Sequence, residues 1–386
     1  MRIRDILKVD FDQLGNEIVV VILVLIGGIT IFVWAGYYNV AASEKHLGIT
    51  NWILATVRDQ SIAARSSEIE VPDLKDRDRI RLGAQHYVAG CAFCHGIPGE
   101  PISPIAQRML PAPPDLANPV NEYDAADHFI IIRSGLKYTG MPAWPGVGRD
   151  DEVWSVVAFV EWLQDTGGAD RRDVIDDAGP EQRTGGGYTN PEAGEAYALS
   201  NCVRCHGDAD TAPVSRLVPA LSSQSPDYLR RSLQEYRNGR RQSGFMQPVS
   251  ANLTDGEINQ LVDYYSGLAP VETTSPEMPE AASIARGRAI AAAGIPKQEV
   301  APCSSCHAGA ASLQYGIIDG LGQRYLAGQL DLWRKGHRTG SDFGIIMARS
   351  AANMTDEQIR DVSAYYASLT RDLSRFARSS PAGATE

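Results

Sequence analysis

The chain has 386 residues, 44% of them hydrophobic, and a formal net charge of −11. That length accommodates two to four domains of ordinary size. The acidic balance argues against a nucleic-acid binder, which needs a basic footprint, and permits docking of a basic partner.

Residues 1–17 mix Arg2, Arg4 and Lys8 with Asp5, Asp10, Asp12 and Glu17, so charge alone does not orient the apolar segment after them. That segment, Ile18 to Tyr38, runs for 21 residues without a charge. At about 1.5 Å per residue it spans a hydrocarbon core of about 30 Å. Trp34, Tyr37 and Tyr38 sit where an interfacial aromatic belt would form. The run exceeds a signal-peptide core of at most about 15 residues, and Ala41-Ala42-Ser43 is a poor cleavage site. An uncleaved transmembrane anchor is expected. Residues 39–77 form a connector, in which His46 to Ser66 has helix-like apolar spacing, lies near the membrane surface and is ended by Pro72.

Three copies of C-x-x-C-H come next: Cys91–His95, Cys202–His206 and Cys303–His307. This spacing is the signature of covalent c-type haem attachment: two thiols bond the vinyl groups and the adjacent histidine ligates the iron. A single copy could instead be a thiol redox or zinc site. Three copies use all six cysteines, Cys91/Cys94, Cys202/Cys205 and Cys303/Cys306, which points to three covalently bound haem c groups and to electron transfer. Haem c is attached outside the cytoplasm. The expected placement is therefore a bacterial inner (cytoplasmic) membrane, single-pass, with residues 1–17 cytoplasmic and the haem domains periplasmic.

Three units share one plan, 78–166, 186–269 and 281–371. They are separated by polar or proline-rich linkers at 167–185 and 270–280 and followed by a tail at 372–386. A helix is expected before each motif, at Asp78–Gly90, Pro191–Ser200 and Ala281–Ala293. A closing helix is expected at Asp150–Gln164, Thr254–Leu268 and Thr355–Leu369. The last two open on capping boxes, Thr254/Glu257 and Thr355/Gln358. Units two and three repeat each other: Tyr228-Leu229, Tyr236-Arg237, Gly239 and Arg241 recur as Tyr325-Leu326, Trp333-Arg334, Gly336 and Arg338.

A sixth iron ligand is sought among the seven methionines. A thioether there raises the potential and blocks substrate, whereas an open position would allow ligand chemistry. Met141, in a Gly- and Pro-rich loop, is the candidate for haem 1, with Met109 as its rival. Met246 and Met347 hold matching positions in the repeat, each 40 residues after its histidine. Met354 stands where unit two has Leu253 and is read as packing; His337 is a bis-His alternative to Met347. Met1 and Met278 lie in the N-terminus and a linker, and His46, His86 and His128 are given ordinary roles. Arg237 and Arg241, recurring as Arg334 and Arg338, are candidates to bind haem propionates.

These motifs resemble class I cytochrome c domains. Unit one is similar to the type with a T-G-M-P-A-W loop, here Thr139 to Trp144. Units two and three are similar to the tandem domains of dihaem cytochromes c. The resemblance implies an all-α fold: three tandem class I cytochrome c domains after one N-terminal transmembrane helix, with His95/Met141, His206/Met246 and His307/Met347 as axial ligands and no catalytic residue. The whole arrangement resembles membrane-bound cytochrome c proteins that accompany proteobacterial haem-copper terminal oxidases. It also resembles trihaem subunits of membrane dehydrogenases, although those usually begin with a cleaved signal. The implied partners are the membrane, a terminal oxidase or dehydrogenase complex and a soluble electron carrier. A haem peroxidase would need a five-coordinate iron, which a methionine for every haem disfavours. A redox sensor would need a signalling domain, and 17 residues are too few for one.

Overall fold

A computed structural model describes residues 11–98, 100, 102–118, 123–168, 174, 194–222, 224–270 and 279–370. Met1, Met278, the tail and most of both expected linkers lie outside the described residues. Among the described residues there are helices, turns and one isolated bridge between Ile295 and Val300, with no strand.

The first helix, α1, is Phe11–Trp34. It ends four residues before the expected Tyr38, because Gly36 turns the chain at φ +69°. Its stretch Gly15–Trp34 is long and apolar enough to cross a membrane, and the rest of the protein buries none of it. Helix α2, Gly48–Ser66, ends at Ser66, where the apolar spacing from His46 to Ser66 ends. Its last turns bury Ile62 and Ser66, and the Ser66 hydroxyl donates to Asp127 at 2.5 Å. Its first turns leave Ile49, Trp52, Ile53 and Val57 exposed.

The first unit contains α3 (Arg77–His86), α4 (Ala92–His95), α5 (Pro104–Gln107), α6 (Ala125–Ser134) and α7 (Asp150–Thr166). The helix expected to Gly90 departs from α geometry at Tyr87, and Tyr87–Cys91 forms a wider π turn. In the second unit stand α8 (Gly194–His206), α9 (Pro226–Arg237), α10 (Met246–Ser250) and α11 (Asp255–Gly267). The third holds α12 (Ala281–Ala293), α13 (Ser304–His307), α14 (Ser312–Tyr315), α15 (Gln323–Arg334), α16 (Asp342–Ala351) and α17 (Asp356–Ala367). Both capping boxes form as expected, at the starts of α11 and α17.

The cores form where a first helix crosses a closing helix. In unit one, α3 meets α7 at Gly83, whose missing Cβ would overlap the Ser155 carbonyl. In unit three, α12 meets α17 at Gly287, where a Cβ would overlap the Asp361 carbonyl. Only glycine lets two backbones approach this closely. Tyr87, Phe159 and Leu163 fill the first core, and Leu326, Ile359, Val362 and Tyr366 the third. In unit two, Leu229 of α9 packs on Ile258, Val262 and Tyr265 of α11.

The units also touch one another. Arg324 of unit three pairs with Asp76 and Asp78 at the start of α3, and Arg216 of unit two joins Asp78 at 2.7 Å. Burial disfavours the Asp76 carboxylate, but the hydrogen bonds and charge of Arg324 more than offset it and hold the group below the usual carboxylate range. Gln224 exchanges two hydrogen bonds with the Ile317 backbone, at 2.9 and 2.8 Å.

Candidate haem centres

Each C-x-x-C-H ends on a helical turn that places its histidine beside a carbonyl. The Nδ1 of His95 lies 2.9 Å from Pro114 O, that of His206 2.8 Å from Pro219 O, and that of His307 3.0 Å from Gly316 O. A carbonyl can only accept, so Nδ1 carries the proton and Nε2 keeps its lone pair for a metal. Desolvation lowers the pKa of all three rings, which favours the neutral, ligating form. The same orientation three times is what an iron ligand needs.

The cysteines are free and half-buried. Burial pushes the Cys91 and Cys202 thiols up to about 12 and Cys303 up to about 11. Thiols so raised are poor nucleophiles, which argues against disulfide-exchange chemistry. Among the described residues, no three or more His, Cys, Asp and Glu side chains gather to hold a metal ion.

One cavity of about 610 Å³ lies between units two and three, with Arg79, Leu82, His86, Arg149 and Glu152 of unit one also on its wall. Cys202, Cys205, His206 and Met246 line it from one side, and Cys303, His307 and Met347 from the other. The sequence pairing of His206 with Met246 and His307 with Met347 is thus brought to one space. Cys306 is the exception among the expected residues of these two sites. It is half-buried but does not line the cavity, so the expected Cys303/Cys306 pair is only half presented there. The backbone accounts for the difference from unit two. There the motif ends the 13-residue α8, whereas in unit three it occupies α13, a helix of four residues. His337 is not there either: its ring packs on Gly148 of unit one. Met354 is 5% exposed in the apolar core of unit three, as its match to Leu253 predicts.

The four repeated arginines divide into two pairs. Arg237 reaches Leu253 O at 2.9 Å and Asp255 at 2.7 Å, while Arg334 reaches Met354 O at 3.1 Å and Asp356 at 2.7 Å. Both are thereby committed to the start of a closing helix. Arg241 and Arg338 instead line the cavity. Arg241 lies 4.5 Å from the Tyr236 ring and Arg338 4.0 Å from the Trp333 ring, equivalent residues of the repeat. Both guanidiniums reach Gln329 Oε1, at 3.4 and 2.5 Å, and neither has a carboxylate partner among the described residues. Their field is large enough to overcome burial at the Tyr228 hydroxyl and pull its pKa down to about 7. Trp333 Nε1 and Arg204 Nε, also buried and lining the cavity, lack hydrogen-bond partners. A cavity lined mainly by apolar side chains, with eight arginines against four carboxylates and with the two motif histidines and two thioethers, fits haem rings and their propionates.

The first site is separate: Cys91, Cys94, His95 and Met141 are not among the residues lining that cavity. Cys91 packs against the core of Tyr87, Ile97 and Phe159. The Met141 loop is pinned to the end of α6, since Leu136 N donates to Met141 O at 3.1 Å and Trp144 N to Arg133 O at 3.1 Å. Met109 reaches the same loop, with its terminal methyl against Gly140.

Several residues the sequence did not single out lie between the first two units. His86, given an ordinary role, packs at a tilt against Trp144, with ring centroids 4.7 Å apart, and against Phe245 at 4.9 Å. Desolvation, with the charge of Arg204, pulls its pKa down to about 3. Glu152, 3% exposed, accepts from Ser243 Oγ and Gly244 N, both at 2.5 Å, and pairs with Arg149 at 2.7 Å. Burial raises its pKa to about 7, against the pull of Arg149. A single acidic residue in an amphipathic helix carries no signal in sequence of such a role.

A helical fold with paired cysteines, carbonyl-oriented histidines and an apolar, cationic cavity defines a c-type cytochrome. The family model described as cytochrome c oxidase, cbb3-type, subunit III, matches residues 78–160 and 189–264. Cytochrome c4 of Thiocapsa roseopersicina is 30% identical over 190 residues, 47% of this chain and 94% of that protein. The thiosulfate dehydrogenase electron acceptor of Stutzerimonas stutzeri (strain A1501) is 28% identical over 182 residues, 46% of this chain and 83% of that one. The solved cytochrome c4 of Acidithiobacillus ferrooxidans covers 44% of this chain and 99% of its own, at 28% identity and a TM-score of 0.40. The chain belongs to the cytochrome c family, with relatives of the cytochrome c4 type, and is an electron-transfer protein of a family that carries covalent haem c.

Proposed function

We propose that this chain is a membrane-anchored trihaem cytochrome c passing single electrons along a respiratory chain towards a haem-copper terminal oxidase. The observation that carries the haem count is the threefold recurrence of a cysteine pair with a histidine whose Nδ1 faces a carbonyl. Covalent haem c, when bound, supplies the one-electron couple. Cys91/Cys94, Cys202/Cys205 and Cys303/Cys306 would hold the groups, and His95, His206 and His307 would ligate from one side. For the third pair this requires the short α13 to turn Cys306 towards the cavity that Cys303 already lines. Met141, Met246 and Met347 would close the other side, which suits a carrier rather than an enzyme. Arg241 and Arg338 hold positive charge where acidic substituents would lie. The domain bounds 78–166, 186–269 and 281–371 follow the same threefold plan.

The apolar stretch Gly15–Trp34 supports a single-pass anchor, and the exposed apolar row on α2 supports a membrane-facing connector. An anchor raises the effective concentration for a membrane neighbour. The cbb3-type description of the matching family model favours the oxidase as that neighbour. A second reading, acceptor for a dehydrogenase, is favoured by the relative named as a thiosulfate dehydrogenase electron acceptor. The test is oxygen uptake by membranes driven by an artificial donor to cytochrome c. Deleting this chain slows it if the oxidase reading holds. Unchanged uptake together with lost substrate oxidation assigns the chain to a dehydrogenase.

A further inference from the structure

Met246 and Met347 are equivalent in the repeat, yet the protein holds them differently. Met347 sits inside α16, a ten-residue helix. That helix is capped from within its own unit, by Ser341 Oγ accepting from Gly344 N at 3.2 Å. Met246 is the first residue of α10, a helix of five residues. The equivalent cap before it, Ser243 Oγ accepting from Met246 N at 3.0 Å, lies in unit two but is itself bound by Glu152 of unit one.

The contact is a relay. Glu152 Oε1 accepts from Ser243 Oγ at 2.5 Å, and Ser243 Oγ in turn accepts from Met246 N at 3.0 Å and Phe245 N at 3.2 Å. Glu152 Oε2 takes Gly244 N at 2.5 Å and Trp144 Nε1 at 3.3 Å. Arg149 holds the Glu152 carboxylate and donates to Gln242 O at 2.9 Å. The fit is close, since a Cβ on Gly244 would overlap the Trp144 ring and one on Gly146 would overlap Gly244 N. Phe245, next to Met246, closes on His86 and Trp144, with the Trp144 centroid at 5.5 Å. Among the described residues, the groups outside unit two that fix the four residues before Met246 belong to unit one: α3, α7, the Met141 loop and the Val147–Arg149 turn that leads into α7. A buried carboxylate carries a large desolvation cost, and here it satisfies donors from both units at once.

We propose that Glu152 is a positioning residue for Met246, so that the first unit completes the second haem site by holding its sixth ligand through Ser243. This rests on the reading of Met246 as an iron ligand. It makes the site incomplete without its neighbour, whereas the capping serine before the third site's methionine, Ser341, has no carboxylate of another unit on it among the described residues; there unit two contributes Arg231 over the Phe343 ring at 3.8 Å.

The experiment uses the full, haem-loaded chain and three variants: Met246→Ala, Glu152→Ala and Ser243→Ala. Two signals are read besides haem content. One is the near-infrared charge-transfer band of thioether-ligated ferric haem, and the other is the set of midpoint potentials. Met246→Ala must lose the share of the band due to one haem; if it does not, the ligand reading itself fails. Given that loss, Glu152→Ala is expected to weaken the same share and shift one potential downwards, with three haems retained and the other two potentials unchanged. Glu152→Gln, which keeps one acceptor oxygen, should fall between it and the parent protein. A Glu152→Ala protein with the full band and three unshifted potentials overturns the proposal. Should that variant fail to fold, Ser243→Ala, which removes only a hydroxyl, decides by the same criterion.

Discussion

Arg237 and Arg241 stand four residues apart on one repeat and recur together, so the sequence treats them alike. Geometry separates them. Arg237 donates to Leu253 O and Asp255 at the start of α11, while Arg241 is 6% exposed beside Tyr236 and faces the shared cavity. The reason is the turn at Gly239, φ +68°, which sends the chain back towards the cavity between the two residues. Replacing Arg241 with Gln removes a buried positive charge that favours the reduced form of a nearby haem. Spectroelectrochemistry should show one or two potentials falling by on the order of tens of millivolts. Arg237→Gln should leave the potentials in place and cost about 1 kcal/mol of stability through its lost contacts. Equal shifts in both variants would contradict this division. The three histidines and six cysteines were legible because their spacing is the chemistry. The aim of Cys306 was not, since spacing fixes which residues pair but not how a four-residue helix turns them. Glu152 and His86 were hidden for another reason: their roles arise only when another unit folds against them.

At the scale of elements, the helices flanking each motif were largely legible from apolar spacing and caps. Ala281–Ala293 matches residue for residue, and α11 and α17 begin where their capping boxes put them. The π turn at Tyr87–Cys91 carries no local signal. Nor does the difference between α10 and α16. The two methionines share one spacing from histidine because unit three is shorter before its Tyr-Leu pair and longer after Arg338, where the added residues extend α16. The helix crossing gives a direct test. At Gly287 any side chain meets the Asp361 backbone and the Tyr365 Cβ. Gly287→Val should therefore separate α12 from α17 and cost about 1–3 kcal/mol, the usual range for overpacking. Gly256→Ala, on α11 with only Thr254 Oγ1 near at 3.8 Å, should be neutral or mildly stabilising. Chemical unfolding compares the two, and equal stability would remove the crossing from the account.

At the scale of the whole molecule, the sequence expectation was of three units separated by polar or proline-rich linkers. The structure instead joins them, through Arg324 to Asp76 and Asp78, Gln224 to Ile317, and Glu152 to Ser243 and Gly244. Such contacts pair residues more than 70 positions apart, which no local pattern announces. They bring motif residues of units two and three to one cavity, which Cys91, Cys94, His95 and Met141 do not line. This arrangement has a purpose only if each motif carries its haem. The most direct measurement is therefore the denatured mass of the chain purified from cells that attach haem c. The account predicts a single species bearing three covalent haems, and a mature protein bearing two or fewer would contradict it.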